Sequence, residues 1–475
     1  MPLLLAALLA QATILVAPFA VKDVGLAAGV AVAESIADVV VQANQDNFLT
    51  LKQLDAVLRR RDLRLDDPAV AAQAQELARA LGATDVIAGE VSKGGIDGRR
   101  ITVADGKVIA SAHAEGPLPT AAQAVAKELL KTDLPPLMTR DAKALELAAR
   151  CEANLARQAL GAHSKITLPA DRLAEAEKAC KAALQLDPKL ALARAGLAVT
   201  LAARGKFAES RKEAQRASKD RFVPLAVLVD AFAARRMRDF DKWRAILLRA
   251  VEERPGFLHA LGYLAEDRME TGEDKEALAL FDRYLQRSPT HTWAMGKKAR
   301  ELARLGQTEE AIELSEKALS MNPGDPELLI ETASRYIDAG RDPRAEPLLQ
   351  QAMNSKPPRP LAALRLGYLY FRTHKLPQAK DALESCLKMA TREDESRTRG
   401  IAHADLARVA AKQNRYLDAV AELDGARKEG NNHLPCDEPE LARWKDRPEL
   451  KRVCVEAAAA AADEHSEDDA VPVDL

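Results

Sequence analysis

A repeat of 34 residues constrains this chain more than any other feature of its sequence. Between Leu258 and Ala390, small residues, glycines and prolines recur in one register over consecutive segments. The recurring positions are Ala277, Ala311, Ala345 and Ala379; Ala265, Ala299, Ala333 and Gly367; Gly272, Gly306 and Gly340; and Pro289, Pro323 and Pro357. A fixed period of about 34 residues predicts stacked units of two antiparallel helices.

The residue types at these positions suit such helix pairs. Small side chains at Ala265 and Ala277 allow the two helices of one unit to approach closely. Gly272 can adopt the positive φ that ends the first helix at little cost. Pro289 has no N–H to donate, so it ends the second helix. Larger apolar residues at helical spacing are expected to fill the layer between units, because one unit cannot bury its apolar face alone.

This combination of period and residue types resembles the tetratricopeptide repeat, a right-handed α-solenoid. The resemblance predicts a mainly α fold of about eight units over residues 134–430, after a proline-containing linker at 134–137. The first unit is expected to be atypical, with helices over 140–160 and 171–186. In the third unit Trp243 stands where alanine is usual, so its two helices should splay or repack. Later units are expected to begin near Ala191, Pro224, Leu258, Thr292, Pro326, Pro360 and Gly400.

Residues 13–133 lack the period and predict a small α/β domain with a mixed sheet. Strands are expected over 13–19, 48–50, 85–91, 100–103 and 108–112, and helices over 29–41, 54–60, 69–81 and 120–130. The glycine-rich segment 93–98 lies between two of these strands. A phosphate-binding loop lies between a strand and a helix, so this segment is interpreted as a hairpin turn.

Four segments of this region resemble the TolB amino-terminal domain and the related CsgG-like domains. They read LVAPF, GLAAGVAVAESIADVV, LGATDVIAGEV and GRRITVADGKVIAS. The hairpin around 104–106 is shorter than in that family, and the resemblance covers about a quarter of the chain. It implies a bacterial, usually envelope-associated protein, and a protein-contact module without catalytic residues. The matching residues are Pro18, Phe19, Gly29, Leu81, Gly82, Ala83 and Gly89.

Residues 1–12 are predicted to be a signal peptide. An apolar run over 3–9 precedes Ala10-Gln11-Ala12, which fits the small-x-small cleavage pattern. No Lys or Arg precedes the apolar run, so a buried N-terminal helix or strand is the alternative. Pro18 argues against an integral membrane span here. The predicted location is therefore the periplasm or envelope, with the cytoplasm as the alternative.

The C-terminal segments differ from the repeats. Residues 431–462 are predicted to form a helical cap, with short helices over 439–444 and 448–455 and an alanine-rich extension. Residues 463–475 are acidic and lack apolar content, so they are predicted to be disordered.

The composition and the motifs argue against several classes of protein. A net charge of −2 gives no basic field for nucleic acid. Five cysteines are too few for a disulfide scaffold. Free thiols are the favoured interpretation for Cys151 and Cys180, and disulfide pairing of Cys436 with Cys454 stays open. The histidines are scattered and no catalytic or metal-ligand motif is found, so no enzyme activity, cofactor or metal is predicted.

The groove is the predicted functional site. By the family resemblance, fixed positions of each first helix line the concave face, and exposed Trp, Tyr and Arg there are typical of interface hot spots. Trp293 and the three cations that follow it on one helix share a stripe. This stripe is expected to receive an acidic or aromatic partner segment with Trp293 as its anchor; the alternative is salt bridges to Glu327 and Glu331 of the next unit. The candidate partner-binding residues are Tyr263, Trp293, Lys297, Arg300, Arg304, Arg365, Tyr368 and Arg372.

The sequence therefore predicts a non-enzymatic scaffold of the bacterial cell envelope that holds a partner protein or peptide in the repeat groove. The alternative is a structural or regulatory subunit of a larger secretion, motility or surface-polymer machine. The sequence does not name the partner or the oligomeric state.

Overall fold

A computed structural model describes residues 12–43, 47–51, 54, 57–58, 63–155, 169–392 and 395–467. In this part the chain is mainly helical and forms an α-solenoid preceded by a small domain with a mixed sheet, as predicted. It divides into two compact units, the first reaching to Glu301 and the second covering residues 302–472.

The N-terminal domain contains a six-stranded mixed sheet of order β3-β1-β4-β5-β6, with β2 beside β4. β1 is parallel to β3 and β4, whereas β4, β5 and β6 form an antiparallel meander. The strands are β1 Thr13–Val16, β2 Ala20–Val21, β3 Asn47–Leu49, β4 Asp85–Ser92, β5 Gly95–Thr102 and β6 Val108–Ala114. The helices are α1 Leu26–Ala43, α2 Pro68–Ala72, α3 Ala74–Ala80 and α4 Leu118–Leu130.

Two strand predictions were wrong in their bounds. The strand expected over 13–19 ends at Val16, because Pro18 has no N–H for the ladder. Gly95 and Gly98, predicted to lie in the hairpin turn, belong to β5. A Cβ at Gly98 would lie 2.5 Å from Cγ1 of Val125. The glycine therefore allows α4 to pack closely on the sheet, and the turn itself shrinks to Lys93-Gly94.

Helix α1 is the domain's central helix. Within the described residues it is the one helix long and apolar enough to cross a membrane. Its side chains are mostly buried in the protein, among them Ala31, Ile36 and Val39. α1 packs against α4 on one side and against α5, the first helix of the array, on the other. A helix that is apolar around most of its circumference is expected in such a doubly covered position.

The helices of the first unit follow the predicted pairing. They are α5 Ala142–Leu155, α6 Ala170–Leu186, α7 Ala191–Ala203, α8 Phe207–Ala217, α9 Pro224–Arg236, α10 Phe240–Glu253, α11 Leu258–Glu270, α12 Asp274–Arg287 and α13 Thr292–Arg304, the last of which ends in the second unit. Gly272 has a φ of 73° and ends α11, as the sequence predicts. Trp243 is buried, with the Arg235 guanidinium 5.0 Å from the centre of its ring. The third repeat therefore repacks around this large side chain.

The second unit continues the array. Its helices are α14 Thr308–Met321, α15 Pro326–Asp338, α16 Asp342–Met353, α17 Pro360–Arg372, α18 Leu376–Met389, α19 Ser396–Lys412, α20 Tyr416–Lys428, α21 Pro439–Ala442 and α22 Pro448–Glu467. The predicted starts of the repeats coincide with helix starts except at Gly400, where α19 begins four residues earlier, at Ser396. Gly306 and Gly340 end their helices at φ values of 79° and 71°.

The end of the array is covered by α21 and α22. Leu441, Trp444 and Leu450 pack against the last repeat in a cluster that includes Leu423. Disorder was predicted from residue 463, but α22 continues to Glu467. The preceding alanines have the highest helix propensity and extend the helix past the cap. Residues 468–475 lie outside the described part, as do residues 1–11 of the predicted signal peptide.

Both candidate cysteine pairs form disulfides. Cys151 on α5 and Cys180 on α6 are joined, with Cα atoms 5.4 Å apart, and Cys436 is joined to Cys454 in the cap. The expectation of free thiols at Cys151 and Cys180 was therefore wrong. The reason is that the two antiparallel helices bring these residues face to face, at a distance that suits a disulfide. Cys386 is a buried free thiol.

We expect Ala311→Leu to lower the free energy of unfolding by about 1–3 kcal/mol, because Ala311 is fully buried on α14 and a larger side chain overpacks the helix contact. Denaturant unfolding followed by far-UV circular dichroism would measure this change. Glu310→Leu, at an exposed position of the same helix, is the matched control and should change stability by less than about 0.5 kcal/mol. Equal midpoints for the two variants would show that the helices are not in close contact.

Candidate functional site

The α/β domain packs on the turns that precede the fourth and fifth repeats. Phe48 of β3 pairs through its backbone with Phe257, and the two rings stack 5.6 Å apart. The carbonyl of Gly82 accepts a hydrogen bond from the Ser288 hydroxyl at 3.2 Å. A Cβ at Gly82 would lie 2.3 Å from Cα of His291, so only glycine fits this contact. The sequence suggested two domains joined by a linker, but a single hydrophobic core runs from β1 to α13.

Charged groups line a cavity of about 60 Å³ at this junction. Arg221 donates to Asp38 of α1 at 3.1 Å and to the carbonyl of Pro136 at 2.6 Å. Burial raises the pKa of Asp38 to about 6, although the Arg221 charge opposes the shift. Burial also raises the pKa of Glu34 well above its usual value, and the nearby Glu152 carboxylate raises it further. These groups join the first helix of the domain to the first repeats.

Trp293, the predicted anchor of the groove, is half-buried in an aromatic cluster. Its ring centre lies 6.3 Å from that of Phe281 and 5.9 Å from those of Tyr284 and His291. A Cβ at Gly262 would lie 3.0 Å from the indole. The glycine therefore leaves the space that the tryptophan fills. Trp293 packs one repeat on the next, rather than standing free for a partner.

The cluster also contains a buried neutral histidine. His291 Nε2 lies 3.0 Å from the Tyr284 hydroxyl, and burial lowers the pKa of His291 to about 3. The ring is therefore uncharged near neutral pH and serves as a hydrogen-bond partner.

Lys297 is held in a nearly buried ion pair. Its ammonium lies 2.6 Å from Glu266 Oε1, and the exposed fractions of the two side chains are 13% and 4%. Burial raises the pKa of Glu266, and the Lys297 charge opposes that shift. The salt-bridge alternative considered for the cation stripe thus holds for Lys297, but its partner is on α11, the first helix of the preceding repeat, rather than at Glu327 or Glu331.

The remaining candidates of the first unit, Tyr263 and Arg300, lie close to other residues of the chain. Tyr263 is half-buried, with its ring 4.7 Å from that of His259. His259 Nδ1 in turn lies 3.3 Å from the Thr50 hydroxyl of the α/β domain. Arg300 is exposed and close enough to oppose the raised pKa of Glu266. Most of the predicted stripe in this unit therefore serves contacts within the chain.

In the second unit, candidate residues remain exposed on α17. Arg365 is exposed and Tyr368, one turn further, is half-buried. Arg372 donates to the carbonyl of Ile337 at 2.8 Å and to Asp342 at 2.6 Å, so it ties consecutive repeats together. Arg304 is exposed on α13.

Two exposed apolar residues of the second unit were not among the predicted candidates. Leu361 on α17 and Ile401 on α19 are large apolar residues that are each 37% exposed. Phe371 is half-buried, with the Lys412 ammonium 5.9 Å from its ring centre. The available signal was one apolar residue in the first two turns of each of these helices. Among the described residues no cluster of His, Cys, Asp or Glu suits a metal ion.

A family of known proteins matches one part of the chain. The family profile of the tetratricopeptide repeat matches residues 302–366. No curated protein matches the chain. Similar solved structures include a thermophilic TPR protein of Thermus thermophilus, with 18% identity, 43% of this chain, 99% of that chain and a TM-score of 0.32. MamA of Desulfovibrio magneticus is 15% identical, and the match covers 37% of this chain and 96% of that chain with a TM-score of 0.31. A tetratricopeptide repeat protein of Parabacteroides merdae is 14% identical, and the match covers 67% of this chain and 100% of that chain with a TM-score of 0.37. The profile match shows tetratricopeptide repeats at residues 302–366, and helix pairs of similar length continue on both sides of this stretch.

We expect Lys297→Met to destabilise the first unit by about 3–5 kcal/mol, because it leaves the Glu266 carboxylate buried without its cation. Replacing both residues, as in Lys297→Met with Glu266→Leu, should restore most of the loss, since an apolar pair can substitute for a buried ion pair. Urea unfolding would measure both variants.

The neighbouring Lys298→Met is the matched control. Lys298 pairs with Asp282, whose side chain is 52% exposed, so the lost pair should cost less than about 1 kcal/mol. Equal losses for Lys297→Met and Lys298→Met would contradict the structural role of the Lys297–Glu266 pair.

Proposed function

We propose that this tetratricopeptide-repeat protein is a non-enzymatic scaffold of the bacterial cell envelope that holds a partner protein on the groove face of its second unit. The observation that carries the binding proposal is the surface of α17. Leu361 is an exposed apolar residue there, and Tyr368 is half-exposed beside the cation Arg365. Aromatic and arginine side chains around an apolar residue are typical of interface hot spots.

The choice of the second unit follows from the contacts in the first. There the turns between repeats hold the α/β domain, Trp293 packs inside an aromatic cluster, and Lys297 neutralises Glu266. A partner would have to displace these contacts before it could bind. On α17 the side chains of Leu361 and Arg365 are exposed to solvent, so binding there requires no such displacement.

Two disulfides support an envelope location. The pairs Cys151–Cys180 and Cys436–Cys454 require an oxidising compartment such as the periplasm. The glycine at position 196 leaves space for the Cys151–Cys180 disulfide. A Cβ at Gly196 on α7 would lie 2.5 Å from Cys180 Sγ. The predicted signal peptide and the resemblance of the first domain to TolB amino-terminal and CsgG-like domains favour the same location.

We expect a photo-crosslinking amino acid at Leu361 to capture a discrete partner in cells that express the protein natively. The same group at Asp381, an exposed position on the adjacent helix α18, should capture none. Arg365→Glu should abolish the product while leaving the melting temperature unchanged, because Arg365 is exposed. Capture that is equal at both positions, or that survives Arg365→Glu, would contradict a specific site on α17.

For the exported protein we expect an N-terminus at Thr13 and two disulfides. Thiol labelling in denaturant should modify one cysteine, Cys386, without reductant and all five with reductant. N-terminal sequencing that finds Met1, or labelling of five cysteines without reductant, would contradict export. In the folded protein Cys386 should resist labelling, because burial raises the pKa of its thiol to about 12.

A further inference from the structure

The two disulfides of the chain differ in their exposure. Cys151 and Cys180 are both fully buried, and α7 covers their sulfur atoms at Gly196. Cys436 and Cys454 in the cap are only half-buried. A thiol has to reach a disulfide sulfur before exchange can occur. A reductant is therefore expected to act on the cap disulfide in the folded protein, while the first disulfide is protected.

The cap disulfide fixes a charged segment on the last repeat. Cys436 lies two residues before Glu438. The Glu438 carboxylate accepts two hydrogen bonds from the Arg408 guanidinium of α19, one of them at 2.8 Å. Arg408 also donates to Asp405 at 2.5 Å. Such a fork-shaped, charge-assisted contact is stronger than a single neutral hydrogen bond. Glu438 thus lies between two anchors, the disulfide on one side and the buried Leu441 on the other.

Arg408 occupies a groove position of the last repeat. It follows the predicted start of its repeat at the same distance as Tyr368, a predicted groove residue, follows its own. With Glu438 bound, the Arg408 side chain is still 24% exposed. Glu438 therefore neutralises a groove cation that an acidic side chain of a partner would pair with in its place.

We propose that the cap is a redox-controlled latch, in which reduction of the Cys436–Cys454 disulfide releases Glu438 from Arg408 and frees this groove cation for an acidic partner residue. The latch itself follows from contacts within the chain. Its use in partner binding rests on the proposed function.

The latch depends on effective concentration. The disulfide closes the loop from residue 436 to residue 454, so Glu438 is held beside Arg408. A tethered group binds as if it were highly concentrated, and a longer flexible connection lowers that concentration. After reduction only the four-residue helix α21 holds the segment, and so short a helix is not stable by itself. The Lys412–Glu440 pair lies next to the anchored Leu441 and should persist.

The redox step is a thiol–disulfide exchange with a dithiol reductant. One thiolate of the dithiol attacks a sulfur of the cap disulfide, breaks the S–S bond and leaves the other cysteine as a thiolate. The second thiol of the reductant then displaces the remaining cysteine from the mixed disulfide. Two electrons pass to the protein, the dithiol becomes a disulfide, and its two protons end on Cys436 and Cys454.

Selective reduction of the folded, full-length protein tests access to the cap. After brief treatment with dithiothreitol, a thiol label located by mass spectrometry should be found at Cys436 and Cys454. The buried pair of Cys151 and Cys180 should stay unlabelled. Equal labelling of both pairs, or of neither pair, would overturn the latch.

Labelling of arginine with phenylglyoxal tests the release of Glu438. This reagent modifies guanidinium groups that are not held in ion pairs. The labelling rate of Arg408 should rise about tenfold on reduction, because the carboxylate is no longer tethered beside it. Arg372, held by the Ile337 carbonyl and Asp342 in the same unit, is the internal control and should keep its rate.

Three variants separate the tether from the carboxylate. Cys436→Ser should label rapidly at Arg408 without reductant, and Glu438→Ala should label rapidly with and without it. Asp437→Ala, at an exposed neighbouring position, is the matched control and should behave like wild type. An Arg408 rate that neither reduction nor Cys436→Ser changes would overturn the proposal, as would an equal rise at Arg372. These readouts need no partner, so their failure is distinct from a failure of the proposed function.

Discussion

The stacking of repeat units is the constraint on which the rest of this structure depends. A helix pair of this kind buries its apolar faces only against neighbours, so the two ends of an array need other cover. At the N-terminal end α1 supplies it by packing on α5. At the C-terminal end Leu441, Trp444 and Leu450 cover the last repeat. Each end also carries a disulfide, one within the first repeat and one within the cap. The cross-links thus lie where neighbour stacking is incomplete.

The same constraint explains the character of α1. A free helix of this composition would be a candidate membrane span, but here it is mostly buried, chiefly against α4 of the domain and α5 of the repeats. The α/β domain is therefore part of the solenoid's stability as well as a module of its own. Its close contacts at Gly82 and Phe48 lie on the turns between repeats, where backbone groups not used within helices are available for hydrogen bonding.

Ion pairing decides which groove residues remain for partners. Lys297 is drawn to Glu266 because a carboxylate buried to that degree needs a cation close by. Arg372 is similarly committed to Asp342. Arg365 stays exposed and Leu361 beside it is not covered, which is why the proposed site lies on α17. Partner binding by such an array depends on the few side chains that do not take part in the stacking of repeats.

The sequence by itself determined the repeat. Period, small positions and glycine ends predicted the helix pairs and almost every unit start, because each helix pair depends on local residue types that recur. A small mixed sheet was predictable for the same reason, although its strand ends were not. Gly98 lies within a strand because a helix distant in sequence packs closely on it. Such an approach cannot be read from neighbours in sequence.

Tertiary structure alone decided which candidate residues are free. Trp293, Lys297 and Arg300 share a helix stripe by spacing, yet spacing does not reveal that Gly262 opens a space for the indole or that Glu266 faces the ammonium. The pairing of Cys151 with Cys180 likewise depends on how two helices meet. The physical reason is the same in each case. A side chain's periodicity is local, whereas its burial and its partner are set by residues on other helices.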